Sequence, residues 1–215
     1  MFIEPHFGKS RLNSQHKVGW IEVVCGCMFS GKTEELIRRL NRAMIAQQHV
    51  EIFKPALDTR YHKEDIVSHN SNAIRSTPVQ FANDILLLAG DCDVVGIDEA
   101  QFFDNEIVEV CNKLANSGKR VIAAGLDMDF EGKPFGPMPY LLATAEFVTK
   151  VHAICAQSGE LASFSYRLAD EKEKVLLGER AEYEARNRRY FIEGMRQQEK
   201  SKEAAGPTDQ KEEDT

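Results

Sequence analysis

The chain of 215 residues has five cysteines, Cys25, Cys27, Cys92, Cys111 and Cys155, and no C-x-x-C pair among them. This argues against a disulfide framework or a complete zinc site legible from spacing, and it fits a reducing compartment. There is no basic run with interleaved aromatics and the net charge is −7, so a nucleic-acid groove is not indicated and a small partner is expected. No apolar run approaches the length of a bilayer span, and residues 1–17 are polar, mixed and unlike a signal peptide. The expectation is a cytoplasmic protein, not associated with a membrane, with one good core and room for a small second lobe.

What is present begins with Gly26-Cys27-Met28-Phe29-Ser30-Gly31-Lys32-Thr33, which fits the spacing G-x-x-x-x-G-K-[ST]. A β-rich run over 20–25 precedes it. Leu36, Leu40, Ala43 and Met44 follow at helical spacing over 34–47, so the motif lies between a strand and a helix as a phosphate-binding loop requires. In that setting the loop N–H groups and the helix N-terminus cradle a phosphate, Lys32 reaches the β- and γ-phosphates, and the Thr33 hydroxyl can ligate Mg²⁺. Gly26 and Gly31 are expected where a side chain would block the phosphate. A P-loop alone identifies nucleotide binding and no particular reaction.

Val50 and Ile52 alternate with polar neighbours over 49–53, which completes a right-handed βαβ unit. Residues 58–71 read as a long exposed loop or loose hairpin carrying Arg60, either a phosphate contact or a solvated arginine. A short helix over 83–89 ends at Gly90.

The second chemical signal is an apolar run over 93–97 that ends in Asp98 and Glu99. Alternation along a strand predicts that the two carboxylates face opposite ways. Asp98 would then support Mg²⁺ while Glu99 serves as general base toward a second substrate. Phe102 and Phe103 add aromatic surface beside the pair.

A helix over 104–117 and a strand over 120–125 deliver Leu126, Asp127 and Phe130 to the edge where open α/β sheets bind ligands, making Leu126 and Phe130 candidates for a ring pocket. Pro134, Gly136, Pro137 and Pro139 are expected to forbid regular structure until a helix starts at Leu141. Beyond residue 151 the pattern turns to short strands over 151–154, 163–166 and 174–177, then a last helix opening at Tyr183. The predicted organisation is a flexible extension (1–18), a P-loop nucleotide-binding core (19–150), a small β-rich lasso lobe (151–192) and a disordered acidic tail (193–215). The fold class is α/β, a P-loop NTPase-type parallel sheet flanked by helices. On the residues alone, a P-loop ATPase that moves a partner and a non-catalytic nucleotide-binding module both stay open.

The ordered set Gly26 to Thr33, Asp58-Thr-Arg-Tyr61, Asp98-Glu-Ala-Gln-Phe-Phe103, Leu126-Asp127 with Phe130, Lys133-Pro-Phe-Gly136, and Gly178 with Tyr183 resembles the cytosolic (type II) thymidine kinases over roughly 19–190. The resemblance implies ATP and Mg²⁺ dependence, thymidine and deoxyuridine as acceptors, dTTP as feedback inhibitor, and a homotetramer. It implies Glu99 as the base for the 5′-hydroxyl, Thr33 and Asp98 on the metal side, and ATP contacts from Gly26, Cys27, Met28, Phe29, Ser30, Gly31, Lys32, Thr33, Arg60, Asp98, Glu99, Ala100 and Gln101. Around the base it implies Met28, Phe102, Leu126, Phe130, Ser165 and Tyr183, with the backbone of Lys174, Val175, Leu176, Leu177 and Gly178 reading the pyrimidine edge.

Two departures stand out. Cys27 replaces the family's usual proline at a position expected to contribute mainly backbone. The zinc-ligand positions read Cys155, Ser158, Asn187 and Tyr190, only one of them a thiol, so zinc is predicted absent. His152 lies nearby and is expected to be an ordinary strand residue. Apolar packing around Ile154, Phe164, Tyr190 and Phe191 would then have to hold the lobe.

Overall fold

Short, mostly apolar stretches, too short for helices, build the sheet at the centre of this chain. The structure, a computed structural model, describes residues 18–56, 65–67, 73–168 and 182–205. Among them the order is β1 (Trp20–Cys25), α1 (Lys32–Ile45), β2 (Val50–Pro55), β3 (Asp65–Val67), β4 (Ala73–Arg75), β5 (Thr77–Val79), α2 (Asp84–Leu88), β6 (Val94–Ile97), a 3-10 turn at Ala100–Phe102, and α3 (Glu106–Asn116). There follow β7 (Arg120–Gly125), α4 (Met138–Thr144), β8 (Phe147–Lys150), β9 (Ala153–Ile154), β10 (Leu161–Ala162), β11 (Phe164–Arg167), β12 (Tyr183–Arg186) and α5 (Arg188–Ala205). No described helix is long and apolar enough to cross a membrane.

Six strands form one parallel sheet in the order β5-β2-β6-β7-β1-β8. This is the expected α/β fold, a P-loop-type sheet flanked by helices. Alternation sorts the strand side chains onto its two faces. Val23, Val95, Ile97, Val121 and Ala123 share one core with Ile107, Val110, Cys111 and Leu114 of α3 and with Met138 and Leu141 of α4. Val24, Ile52, Val94, Ile122 and Ala124 share the other with Leu36, Ile37, Leu40 and Ala43 of α1. Truncating a fully buried leucine such as Leu40 to alanine costs about 2–5 kcal/mol in such surroundings. Met44, expected on the buried face of α1, is 41% exposed, and Ile37 is buried instead.

One charged cluster is sealed inside. Glu22 on β1 takes Arg39 of α1 at 2.7 Å and Arg120 of β7 at 2.5 Å, and all three are buried. Trp20 Nε1 donates to Glu22 Oε1 at 2.8 Å, and Arg39 Nη2 donates to Thr149 Oγ1 of β8 at 2.9 Å. Burial pushes the Glu22 carboxyl up, but Arg120, Trp20 and Arg39 outweigh it and hold it below the ordinary glutamate value.

Several elements differ from expectation for physical reasons. The edge strand β5 contains Pro78, tolerated because an edge residue need not donate to a second neighbour. α4 starts at Met138, not Leu141, since Pro139 falls in its first turn, where no N–H is required. β8 was not foreseen as a sheet strand. It pairs with β1, and Phe147 and Val148 stay exposed on this edge.

The expected helix opening at Tyr183 is instead β12, which pairs antiparallel with β11; Tyr183 and Ala185 are buried, and the period is two. α5 begins only at Arg188, where Asn187 Oδ1 caps it by accepting the Tyr190 N–H at 3.0 Å. α5 continues to Ala205, so the tail expected to be disordered from 193 is helical that far. Phe164 stacks on Phe191 with ring centroids 4.5 Å apart, Tyr190 packs against Cys27, Ala153, Cys155, Ala162 and Ala185, and Ile154 is 63% exposed instead of packed. The predicted extension over 1–17, the segment 174–177 and the residues from 206 onward lie outside the described residues.

Candidate active site

The P-loop leaves the buried end of β1 and turns into α1. Gly26 is required here by close approach: a Cβ on it would sit 2.3 Å from the Val151 carbonyl oxygen. The neighbouring chain just after β8 is thus itself an obstacle to a side chain here. Phe29 (φ 64°) and Gly31 (φ 84°) adopt left-handed conformations that curl the loop over the start of α1. The Ser30 hydroxyl and the Lys32 ammonium both donate to the Cys27 carbonyl, at 2.7 and 2.9 Å.

Cys27 contributes more than backbone. Its side chain is buried in the apolar cluster of the small lobe, its Sγ lies 3.5 Å from the Ala162 carbonyl, and burial raises its thiol pKa. Next to it, the Met28 N–H donates to Ser165 Oγ of β11 at 3.0 Å. Ser165, expected beside a base, is therefore bonded to the P-loop backbone.

The acid pair lies at the end of β6. The strand stops at Ile97, so strand alternation does not govern Asp98 and Glu99 as expected. Glu99 itself adopts φ 51°, a left-handed conformation uncommon outside glycine. Asp98 is buried; its Oδ1 accepts the Glu99 N–H at 3.0 Å, and the Thr33 hydroxyl lies 3.4 Å from its Oδ2. Burial first, and the Glu99 carboxylate second, push the Asp98 carboxyl up against the opposing pull of the Glu99 N–H, Lys32 and Thr33. A buried carboxylate beside a hydroxyl is an oxygen donor set suited to Mg²⁺, which would relieve the charge that burial penalises there.

Ala100 and Gln101 follow in the 3-10 turn, both buried. Gln101 Nε2 donates to Glu99 Oε2 at 2.5 Å, and Gln101 Oε1 accepts the Leu126 N–H at 3.0 Å. Phe103 is buried in the core, whereas Phe102 is half-buried and meets Phe135 edge-on at 5.5 Å.

On the other side, Leu126 follows the end of β7, and Phe130 lies under the Arg167 guanidinium at 3.8 Å from the ring centroid. Arg167 also donates to the Tyr183 hydroxyl from Nε (3.1 Å) and Nη2 (2.8 Å). Two rings expected around a base are thus joined by a buried arginine that sequence reasoning missed. The signal was present: Arg167 stands two residues after Ser165 in a strand, hence on the same face. Lys150 was also missed; it ends β8 and pairs with Asp127 at 2.5 Å, linking the strands on either side of β1. An apolar cleft of about 390 Å³ is lined by Phe29, Ala153, Ile154, Ala156, Tyr183, Glu184 and Ala185. Arg60 and the segment Lys174, Val175, Leu176, Leu177 and Gly178 lie outside the described residues.

At the positions expected to hold zinc, Asn187 Nδ2 donates to Ser158 Oγ at 3.2 Å and to Glu160 Oε2 at 2.7 Å, and the Tyr190 N–H returns to Asn187 Oδ1. Burial raises the Cys155 thiol pKa, but hydrogen bonds from Ser158 and from the backbone of Asn187, Gln157 and Ser158 outweigh it, so the thiol sits below its ordinary value. One thiol, one hydroxyl, one amide and one phenol do not make a tetrahedral structural zinc set. Among the described residues no three His, Cys, Asp or Glu side chains group as a metal site, and His152 bonds Ser163 at 3.1 Å.

The family model described as Thymidine kinase matches residues 19–191. The chain is 59% identical to the thymidine kinase of Bacteroides thetaiotaomicron over 192 residues, covering 89% of this chain and 94% of that one. It is 63% identical to the thymidine kinase of Rhodothermus sp. over 174 residues (81% and 82%) and 62% identical to that of Porphyromonas gingivalis over 165 residues (77% and 81%). Matched by that model over most of its length and by relatives at about 60% identity, the chain belongs to the thymidine kinase family.

Proposed function

We propose that this chain transfers the γ-phosphoryl group of ATP to the 5′-hydroxyl of thymidine, and also of deoxyuridine, yielding the 5′-monophosphate and ADP. The observation that carries the reading is the contact between Thr33 and Asp98, 3.4 Å, which joins the phosphate loop to the acid pair at one sheet edge. Lys32 and the loop N–H groups bind the phosphates. Thr33 and Asp98 would hold Mg²⁺, which supplies charge neutralisation at the phosphate oxygens. Glu99 accepts the 5′-hydroxyl proton as that oxygen bonds to the γ-phosphorus and the bridging P–O bond to ADP breaks in line.

Met28, Phe102, Leu126, Phe130, Ser165 and Tyr183 surround the nucleoside in this reading, and the backbone of 174–178 reads the base. An unpaired buried amide opposite a wrong base costs about 1–3 kcal/mol, enough for roughly ten- to a hundred-fold discrimination. Feedback by dTTP, a homotetramer, a cytoplasmic location and a lobe without zinc complete the proposal. The support for the last is the donor chemistry of Cys155, Ser158, Asn187 and Tyr190. In tag-free protein, elemental analysis is expected to find less than about a tenth of an equivalent of zinc, and stoichiometric zinc would overturn this part.

The activity test is transfer of labelled γ-phosphate to thymidine, deoxyuridine, deoxycytidine and deoxyadenosine, beside a control without nucleoside. Product with thymidine and deoxyuridine alone supports the proposal. Label appearing only as free phosphate, independent of nucleoside, overturns it.

A further inference from the structure

Gln101 is 2% exposed, and both ends of its amide are committed inside the protein. The Leu126 backbone N–H can only donate, so the oxygen of the Gln101 side chain must face it, and the NH₂ group must face the Glu99 carboxylate. The orientation of the amide is therefore dictated by the chemistry of its neighbours. Two glycines close on the same residue. A Cβ on Gly125 would lie 2.8 Å from Gln101 Oε1, and one on Gly136 would lie 2.3 Å from the Gln101 carbonyl oxygen. Glu99 is half-buried at φ 51°, and among the described residues its side chain has this one hydrogen-bond donor.

We propose that Gln101 is a positioning residue: braced by the Leu126 backbone, its amide aims the Glu99 carboxylate at the acceptor hydroxyl. It thereby ties the group that takes the proton to the backbone of a residue that lines the nucleoside site. The inference rests on the role proposed for Glu99. It adds to the expectation that Gln101 contacts ATP: the oxygen accepts from Leu126 and one of the two amide N–H groups is given to Glu99.

The test measures kcat and KM for ATP and thymidine in the full chain, with thermal melting as a check on folding, for Gln101→Glu, Gln101→Met, Glu99→Ala and each Gln101 variant combined with Glu99→Ala. Gln101→Glu keeps an acceptor for Leu126 and loses the donor to Glu99; Gln101→Met avoids a buried charge should the first variant fold poorly. Each variant is expected to lower kcat about ten- to a hundred-fold, the scale of a misaimed catalytic group, with KM for ATP within about twofold of wild type. In the Glu99→Ala background the same changes should alter the residual rate by less than about twofold, because a residue that acts through Glu99 has nothing left to act on. Equal fractional losses in both backgrounds, an unchanged kcat, or a rise in KM for ATP alone would overturn the role of Gln101. Full turnover by Glu99→Ala itself would instead overturn the proposed base, and with it this inference.

Discussion

Glu99→Ala is expected to fold and bind ATP while losing transfer at least about a hundred-fold, the lower range for a positioned general base, as checked by kcat beside a nucleotide-binding titration. Gly26→Ala makes a different prediction. Its methyl group would enter the space of the Val151 carbonyl, so a loss of about 1–3 kcal/mol is expected in the urea midpoint at unchanged slope, together with weaker ATP binding. The need for glycine at 26 was legible in the motif, but its crowding by the Val151 carbonyl was not. Spacing speaks of the phosphate, whereas the crowding comes from chain contributed more than a hundred residues later. Strand alternation was expected to govern Asp98 and Glu99, yet the strand ends at Ile97, and a pattern of residue types carries no sign of the positive φ at Glu99. Arg167, and the bond from Gln101 to Glu99, escaped because one guanidinium or amide is uninformative until its partners are known.

Among the elements, β1 and β7 follow their apolar runs to the residue, because hydrophobic runs closed by Gly or Cys-Gly leave little choice of end. β12 shows the limit. Tyr-Glu-Ala-Arg suits a helix locally, yet pairing with β11 turns it into a strand, and that pairing is with chain some twenty residues away. The helix is displaced to Arg188 and depends on Asn187 for its start. Asn187→Ala should therefore cost about 1 kcal/mol for the lost cap, within a range of roughly 0.5–2, and somewhat more through Ser158 and Glu160, read as a lower denaturation midpoint.

At the scale of the whole molecule, the sealed cluster of Glu22, Arg39 and Arg120 joins β1, α1 and β7. Since the folded Glu22 carboxyl lies below its ordinary value of 4.5, its contribution to stability is complete above about pH 4.5 and is lost as pH falls through the folded value. Glu22→Gln should destabilise by about 3–5 kcal/mol at neutral pH, because it removes the carboxylate that Arg120 and Arg39 share inside the protein while Arg39 keeps Glu35, and should flatten the acid limb of a stability–pH curve. The bond from the Met28 N–H to Ser165, with Cys27 buried among lobe side chains, has a different reach. On the proposed function, this ties the segment that would wrap the nucleotide phosphates to the strand that would border the nucleoside. Filling one side is then expected to alter the affinity of the other, and thermodynamics makes any such debt mutual: whatever factor thymidine imposes on a non-hydrolysable ATP analogue, the analogue imposes on thymidine.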